Sequence, residues 1–152
     1  MANTPNNVMT PQNAVLSYVN LSAATASATR APLALATVTG ATTVYFPVVP
    51  QVPAAADLKI SKITIRGSST SMTAPTVAQN VLVWVSDGTT VILRDEIVVS
   101  AVTPSTTEPS FFSSIIYDDF VIPAGYALYM STTVTTTAAT TALVATIHGA
   151  SM

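Results

Sequence analysis

This chain of 152 residues has one histidine and no cysteine, so a histidine base is available at a single position and a thiol nucleophile at none. A Ser–His–acid triad places its serine on a strained turn, typically within Gly-x-Ser-x-Gly, and this motif is absent. The histidine, His148, lies in a run with strand character. We interpret it as a surface or interface imidazole, and the sequence predicts no catalytic residue.

Carboxylates occur mainly as adjacent pairs, Asp95 with Glu96 and Asp118 with Asp119. Neighbouring residues of a strand point to opposite faces, so neither pair alone can flank a glycosidic bond as glycosidase acids do. Calcium-loop, phosphate-loop, dinucleotide and zinc spacings are absent. The sequence therefore predicts no metal and no cofactor, with calcium held by loop oxygens of these acids as the alternative.

Three of the five cations, Lys59, Lys62 and Arg66, fall within eight residues. A solvated strand face would account for them. The functional alternative is a contact with an acidic patch on a neighbouring subunit, which Asp118 and Asp119 of an identical chain would supply. Five cations against seven acids give a formal net charge of -2, which argues against a nucleic-acid partner.

Five aromatic residues are candidates for a sugar-binding platform, namely Tyr45, Trp84, Phe111, Phe112 and Tyr129. All of them lie in β-patterned runs, where an aromatic side chain more often packs in a core. We therefore favour core packing over carbohydrate binding.

The whole chain is unusually poor in charge. Only 8% of its residues are Asp, Glu, Lys or Arg, against roughly a quarter in ordinary soluble domains. Hydrophobic residues make up 49% and the mean hydropathy is +0.53. Threonine and serine cost less to desolvate than ions do, and interfaces are depleted in Lys, Glu and Asp. The composition indicates a surface that other protein molecules cover.

The segment 1–7 does not resemble a secretory signal, and no run approaches the ~18 apolar residues of a membrane span. We expect no membrane association, and we expect the chain to stay in the cytoplasm until it assembles.

Residues 1–31 have the composition of an N-terminal arm, and residues 32–152 that of one folded domain. The candidate contact residues of the arm are Val15, Leu16, Tyr18 and Val19. A flexible tail and an arm that orders on a neighbouring subunit both fit this composition.

From residue 32 onward, β-branched residues and turn signals predict short strands. Leu58 and Ile60 share one face of a strand, whereas Ile63 and Ile65 share the other, which predicts a β-bulge near Ser61-Lys62. Further strands are predicted over 33–38, 42–46, 81–86, 89–99, 111–120, 126–133 and 143–147.

Proline and glycine mark the ends of these strands. Pro47 is predicted to end the strand over 42–46, because proline lacks a ladder donor. Asp87-Gly88 predicts a tight hairpin, since both residues of such a turn take positive φ. The segment Ile122–Gly125 predicts a type II turn.

In the second strand of the hairpin, one face is predicted to carry four apolar residues, Val91, Leu93, Ile97 and Val99. Together these signals predict an all-β fold, an antiparallel β-sandwich of about eight strands, jelly-roll-like, with an extended N-terminal arm.

The polar Pro/Asn-rich arm at 1–13 and the Ser/Thr/Ala-rich body resemble the small β-sandwich virion proteins of tailed bacteriophages, especially capsid decoration (cement) proteins. So does the strand–turn segment Asp119-Phe120-Val121-Ile122-Pro123-Ala124-Gly125-Tyr126-Ala127-Leu128. The resemblance implies a homotrimer or similar cyclic oligomer that sits outside a capsid and clamps neighbouring subunits of the major capsid protein. It assigns no contact residues.

Four other functions stay open at this point. A tail, neck or fibre-base component would also be a virion protein, although fibre shafts usually show repeats. A surface filament subunit would suit the low charge but would need a signal segment. A carbohydrate-binding module would need exposed aromatic side chains. A hydrolase would need a catalytic arrangement that the sequence lacks.

Overall fold

The computed structural model describes residues 14–21, 30, 33–34, 46–49, 57–67, 78–102, 111–133 and 143–151. Over these residues the chain is all-β and has no helix, so they include no apolar helix of membrane-spanning length. The strands are β1 (Ala14–Asn20), β2 (Leu33–Ala34), β3 (Phe46–Val49), β4 (Leu58–Gly67), β5 (Gln79–Ser86), β6 (Thr90–Val99), β7 (Phe112–Ile122), β8 (Ala127–Thr132) and β9 (Leu143–Ser151).

These strands form two antiparallel sheets. One sheet has the strand order β1-β9-β4-β7, and the other has the order β2-β6-β5-β8-β3. The longest ladders join β4 to its neighbours β7 and β9, and β5 to β6. The sequence prediction of an all-β antiparallel fold is therefore confirmed.

Both sheets contribute to one buried apolar cluster. From the four-stranded sheet come residues such as Ile63, Ile147 and Phe120, and from the five-stranded sheet Val83 and Met130. All five have a relative exposure of 0%. Since alternate residues of a strand point to opposite faces, this cluster fixes which face of each sheet is inward.

The β-bulge predicted near Ser61-Lys62 is confirmed. The register of β4 shifts between Ile60 and Lys62 against both of its neighbours. Because of this extra residue, Ile60 and Ile63 both belong to the inward cluster although they are three positions apart. The bulge therefore lets the whole of β4 bury its apolar residues on one side.

The predicted β5–β6 hairpin is confirmed, but its turn is longer than the two residues expected. Ser86 pairs with Val91, which leaves four residues between them. The Asp87 carboxylate accepts hydrogen bonds from the backbone N–H of Thr89 (2.8 Å) and Thr90 (2.9 Å), and Gly88 has a φ of 95°. The Asp87 carboxylate thus accepts from backbone N–H groups that backbone carbonyls would pair in a two-residue turn.

The predicted proline–glycine turn is present one residue later than expected. Tyr126 N–H donates to the Pro123 carbonyl at 3.0 Å, and Gly125 takes a φ of 83°, the conformation that the third position of a type II turn requires. Ala124 N–H donates to the Asp57 carboxylate at 2.9 Å, which ties this turn to the start of β4.

The prediction that Val91, Leu93, Ile97 and Val99 share one face is wrong. The β5–β6 register shifts between Val83, which pairs with Asp95, and Trp84, which pairs with Leu93. Arg94 is the extra residue of this second bulge. Ile97 and Val99 accordingly lie in the inward cluster, whereas Val91 and Leu93 pack with Leu82 and Trp84 on the outer side of the sheet.

The prediction that Pro47 ends a strand is also wrong. Strand β3 continues through Pro47 to Val49, and its register shifts between these two residues. It lies at the edge of the five-stranded sheet, where a residue without an N–H is tolerated.

Part of the segment predicted as an arm belongs to a sheet. Strand β1 pairs with β9, and Leu21 is fully buried, with its N–H donating to the Leu143 carbonyl at 2.8 Å. The rest of 1–31, apart from Arg30, lies outside the described residues.

Candidate interaction surface

The outward side of the four-stranded sheet brings several predicted contact residues together. Its residues follow from the strand register, because directly paired residues of an antiparallel ladder point to the same side. We name it the basic face, and define it by Tyr18 of β1, Lys59, Lys62, Thr64 and Arg66 of β4, Phe112, Ser114, Ile116 and Val121 of β7, and Thr146 and His148 of β9.

Large apolar side chains of the basic face are exposed in the single chain. The relative exposure is 77% for Ile116, 67% for Phe112, 58% for Tyr18 and 36% for Val121. Ile116 pairs with Lys62, Phe112 with Arg66 and Val121 with Lys59. Each cation of this face therefore has an exposed apolar neighbour on the adjacent strand, an arrangement suited to a protein surface that offers both carboxylates and apolar groups.

Arg66 and Tyr18 contact each other across the sheet. The guanidinium Nη2 donates to the Tyr18 hydroxyl at 3.2 Å, and its central carbon lies 5.7 Å from the centre of the ring. A guanidinium over an aromatic ring is weakly attractive even at an exposed site. This contact places an aromatic ring and a cation next to each other on the basic face.

Lys59 and Lys62 form no ion pair among the described residues, where the ion pair found joins Arg30 and Glu96. A lysine without a carboxylate partner is expected at a solvated surface, and it is also what a partner with carboxylates would require. The three cations predicted from the sequence therefore lie on one face, but within the described residues Lys59 and Lys62 have no carboxylate partner.

Asp118 and Asp119 are both exposed and lie on β7, at the edge of the four-stranded sheet. The register of β7 shifts strongly here. Ile60 pairs with Phe120 and Lys62 with Ile116, so that three residues of β7 face the single residue Ser61. Consecutive residues of a regular strand would point to opposite faces, and this bulge exposes both acids instead.

The remaining residues predicted from the arm do not all reach the basic face. Leu16 packs against the inward cluster and so faces the core. Val15 and Val19 belong to β1, where they pair with His148 and Ala145. Their side chains lie outside what the structure describes.

His148 is half-buried on the basic face and pairs with Lys62 across β4–β9. Its direct partners in the two ladders are Val15 and Lys62.

Asp95, Glu96 and their partners make contacts that connect parts of the fold. The Tyr117 hydroxyl donates to the Asp95 carboxylate at 2.6 Å and so joins the two sheets. Burial raises the pKa of Tyr117 well above its usual range, and the bond to Asp95 adds to this shift. Neither Asp95 nor Glu96 lies beside Asp118 or Asp119 in the ladders.

Glu96 accepts hydrogen bonds from Arg30, with Nε at 2.8 Å, and from the Asn80 amide. These bonds, the Arg30 bond above all, hold the pKa of Glu96 below its usual range against the opposing effect of burial. The described residues contain no group of three or more His, Asp or Glu side chains placed to hold a metal ion.

The aromatic residues do not form an exposed platform among the described positions. Trp84 is completely buried, and its indole N–H donates to the Ser131 hydroxyl at 2.8 Å. Tyr129 packs beside it and Phe111 against the inward cluster, as core packing predicts. Phe112 is the exception, because it is exposed on the basic face. Tyr45 lies outside the described residues.

Comparisons with protein-family models, with curated proteins and with solved structures find no match for this chain. A function for it therefore has to be inferred from the composition, the ladders and the basic face.

Proposed function

We propose that the chain is a structural, non-enzymatic virion protein that decorates and stabilises the outside of a phage capsid. The observation that carries this proposal is that a chain with very few charged residues also leaves Ile116, Phe112 and Tyr18 exposed on one face of a sheet. Exposed apolar groups that lie together mark interaction sites more often than isolated ones do. The predicted partners are copies of the chain itself and subunits of the major capsid protein.

The order of strand pairing supports a jelly-roll sandwich as the finer description of the fold. The pairs β4–β7, β3–β8 and β1–β9 are nested around the hairpin β5–β6. The further pairs β4–β9 and β5–β8 join these nested arms within each sheet. A long hairpin folded over in this way gives the double Greek key of jelly rolls, an architecture used by viral capsid and lectin domains. Strand β2 would be an addition beside β6.

The mechanism would be stabilisation by mass action. Each copy would bury apolar and hydroxyl-bearing surface against the assembled coat, and symmetry would repeat the contact around each axis. A molecule that binds the assembled lattice and not its separate subunits shifts the equilibrium toward the lattice. An oligomer, with a trimer implied by the resemblance, would multiply each weak contact through avidity.

The test is the copy number of the chain in particles purified from the host that carries the gene. Quantitative mass spectrometry should find the chain in a fixed ratio to the major capsid protein, and in the capsid fraction after tails are separated. Recovery with the tails would favour a tail, neck or fibre-base role. Absence from all particles would contradict a virion function.

A pair of variants would connect this role to the basic face. Ile116→Asp places a charge on the basic face, whereas Ile92→Asp places one at an apolar site of β6 that is also exposed, at 56%. We expect Ile116→Asp to lower incorporation into particles and Ile92→Asp to leave it unchanged. Equal loss in both variants would argue against a specific role of the basic face.

A further inference from the structure

We infer that the basic face receives the β7 edge of a second copy of the same chain, with Asp118 and Asp119 of one copy opposite Lys59 and Lys62 of the next. This inference rests on the self-association included in the proposed function, and it does not require a capsid.

Six of the seven acids of the chain lie among the described residues. Four of them already have partners: Asp57 accepts from the Ala124 N–H, Asp87 from Thr89 and Thr90, Asp95 from Tyr117, and Glu96 from Arg30. Asp118 and Asp119 differ, because both are exposed and neither makes a hydrogen bond or ion pair among the described residues. No cation of the described residues lies within ion-pair distance of either acid.

All five cations of the chain lie among the described residues. Arg30 pairs with Glu96, Arg94 lies over the Phe120 ring at 5.2 Å, and Arg66 contacts Tyr18. Lys59 and Lys62 make no ion pair within the described part of the chain. Lys59, Lys62, Asp118 and Asp119 are thus the charged residues of the four-stranded sheet that make no hydrogen bond, ring contact or ion pair among the described residues, and they do not pair with each other within the copy.

The two lysines and the two acids occupy different places on the sheet. The lysines project from the face of the sheet, whereas the acids sit in a bulge of its edge strand. Charges and bulges on an edge strand oppose its direct extension by another strand. A neighbour would then meet this edge through side chains, with exposed Ile116 and Phe112 supplying the apolar part of the contact.

A face that binds a different surface of the next copy is a heterologous contact. Such contacts generate rings when the rotation closes and filaments when it does not. A closed ring is the form that matches the cyclic oligomer implied by the resemblance.

The test uses the full chain and three variants, each measured by sedimentation velocity and light scattering, without particles. The face variant is Lys59→Gln/Lys62→Gln, and the edge variant is Asp118→Asn/Asp119→Asn. The swapped variant combines Lys59→Glu/Lys62→Glu with Asp118→Lys/Asp119→Lys, so that its net charge equals that of the wild type. All the substituted positions are exposed or half-buried, and urea unfolding midpoints should confirm that each variant is folded.

We expect the wild type to form a ring, and the face and edge variants each to associate roughly tenfold more weakly. The swapped variant should recover the wild-type association. In an equimolar mixture, the intact face of the edge variant can bind the intact edge of the face variant. The mixture should therefore form a dimer that cannot extend further, and no ring.

Three results would overturn the inference: a monomeric wild type, variants that associate as the wild type does, or a swapped variant that stays weak. The proposed function fails separately. Rings that form and respond to charge as expected, while the chain is absent from purified particles, would uphold the contact and reject the virion role.

Discussion

On the outer side of the five-stranded sheet, Leu82, Trp84 and Val91 have a relative exposure of 0%, whereas on the outer side of the four-stranded sheet Ile116 is 77% exposed. Both sides carry large apolar residues in regular strands. The difference is that the single chain buries these three residues completely, although Val98 at the end of β6 is 67% exposed, and leaves Ile116 in solvent. An apolar outer face is therefore not sufficient to indicate an interface, and the partner proposed for the basic face rests on the exposure of its apolar side chains.

The largest expected effect tests the buried side of this comparison. Trp84→Ala removes a fully buried indole and its hydrogen bond to Ser131, and should lower the free energy of unfolding by about 3–5 kcal/mol. Urea denaturation followed by far-UV circular dichroism measures the change. Trp84→Phe is the control, because it keeps most of the apolar contact and should cost less than half as much. A loss below 1 kcal/mol for Trp84→Ala would mean that this side is not packed as described.

The contrast between the two outer sides also explains which bulge the sequence revealed. In β4 one side is apolar and the other polar, so a slipped register changes the phase of Leu58, Ile60, Ile63 and Ile65, and the pattern displays it. In β6 both sides are apolar. Val91 and Leu93 stay in phase with Ile97 and Val99 although they point to opposite sides of the sheet. A period of two cannot detect a bulge in a strand that is apolar on both sides.

Local turn chemistry was readable from the sequence because it depends on residues that are neighbours in the chain. Asp87-Gly88 and Pro123–Gly125 both mark turns, and only their registers differ from expectation by a residue or two. The convergence of Tyr18 with Lys62 and Arg66 was not readable, since it depends on which strands are neighbours in the sheet. Tyr18, Lys59, Lys62 and Arg66 were candidates from the sequence, whereas Ile116 and Val121 were not, and the ladders place all of them on one face.

Gly149 was missed, because its requirement comes from the close approach of two strands. A Cβ at this position would lie 2.1 Å from the Lys59 carbonyl oxygen and 2.8 Å from the Leu16 side chain. Gly149 faces Ile60 beside the β4 bulge, and no rotation of a flexible side chain can remove a backbone clash. Sequence patterning alone gives no signal for such a contact.

The second prediction therefore tests the inward side of the four-stranded sheet. Gly149→Ala should destabilise the chain by about 1–3 kcal/mol, since the β4 and β9 backbones must separate to admit a methyl group. Ala150→Ser, at the next position of β9, is the control and should change stability little. Equal stabilities of Gly149→Ala and wild type in urea would mean that the bulge is wider than described.

The third prediction tests the hydrogen bond that joins the sheets. Tyr117→Phe removes the donor to Asp95 and should cost about 1–2 kcal/mol at neutral pH. Because the pKa of Tyr117 is raised in the folded chain, its contribution is complete below the unfolded value of 10.0 and is lost as the pH rises above it. Unfolding midpoints measured from about pH 8 to about pH 11 should show the difference in stability between the wild type and Tyr117→Phe becoming smaller. A constant difference across this range would contradict the assignment of the raised pKa to Tyr117.

The smallest expected effect lies on the basic face, and it is the one that separates the two kinds of apolar surface. Ile116→Thr keeps a β-branched side chain at a position that is 77% exposed, so stability should stay within about 0.5 kcal/mol of the wild type when measured below the concentration of self-association. The same substitution at Ile63, which is 0% exposed on the other side of the sheet, should cost about 2–3 kcal/mol, because it buries a hydroxyl and removes packing. A large loss at Ile116 would mean that the chain itself covers the basic face. In that case the apolar side chains of the basic face would indicate a partner no more than the buried Trp84 does.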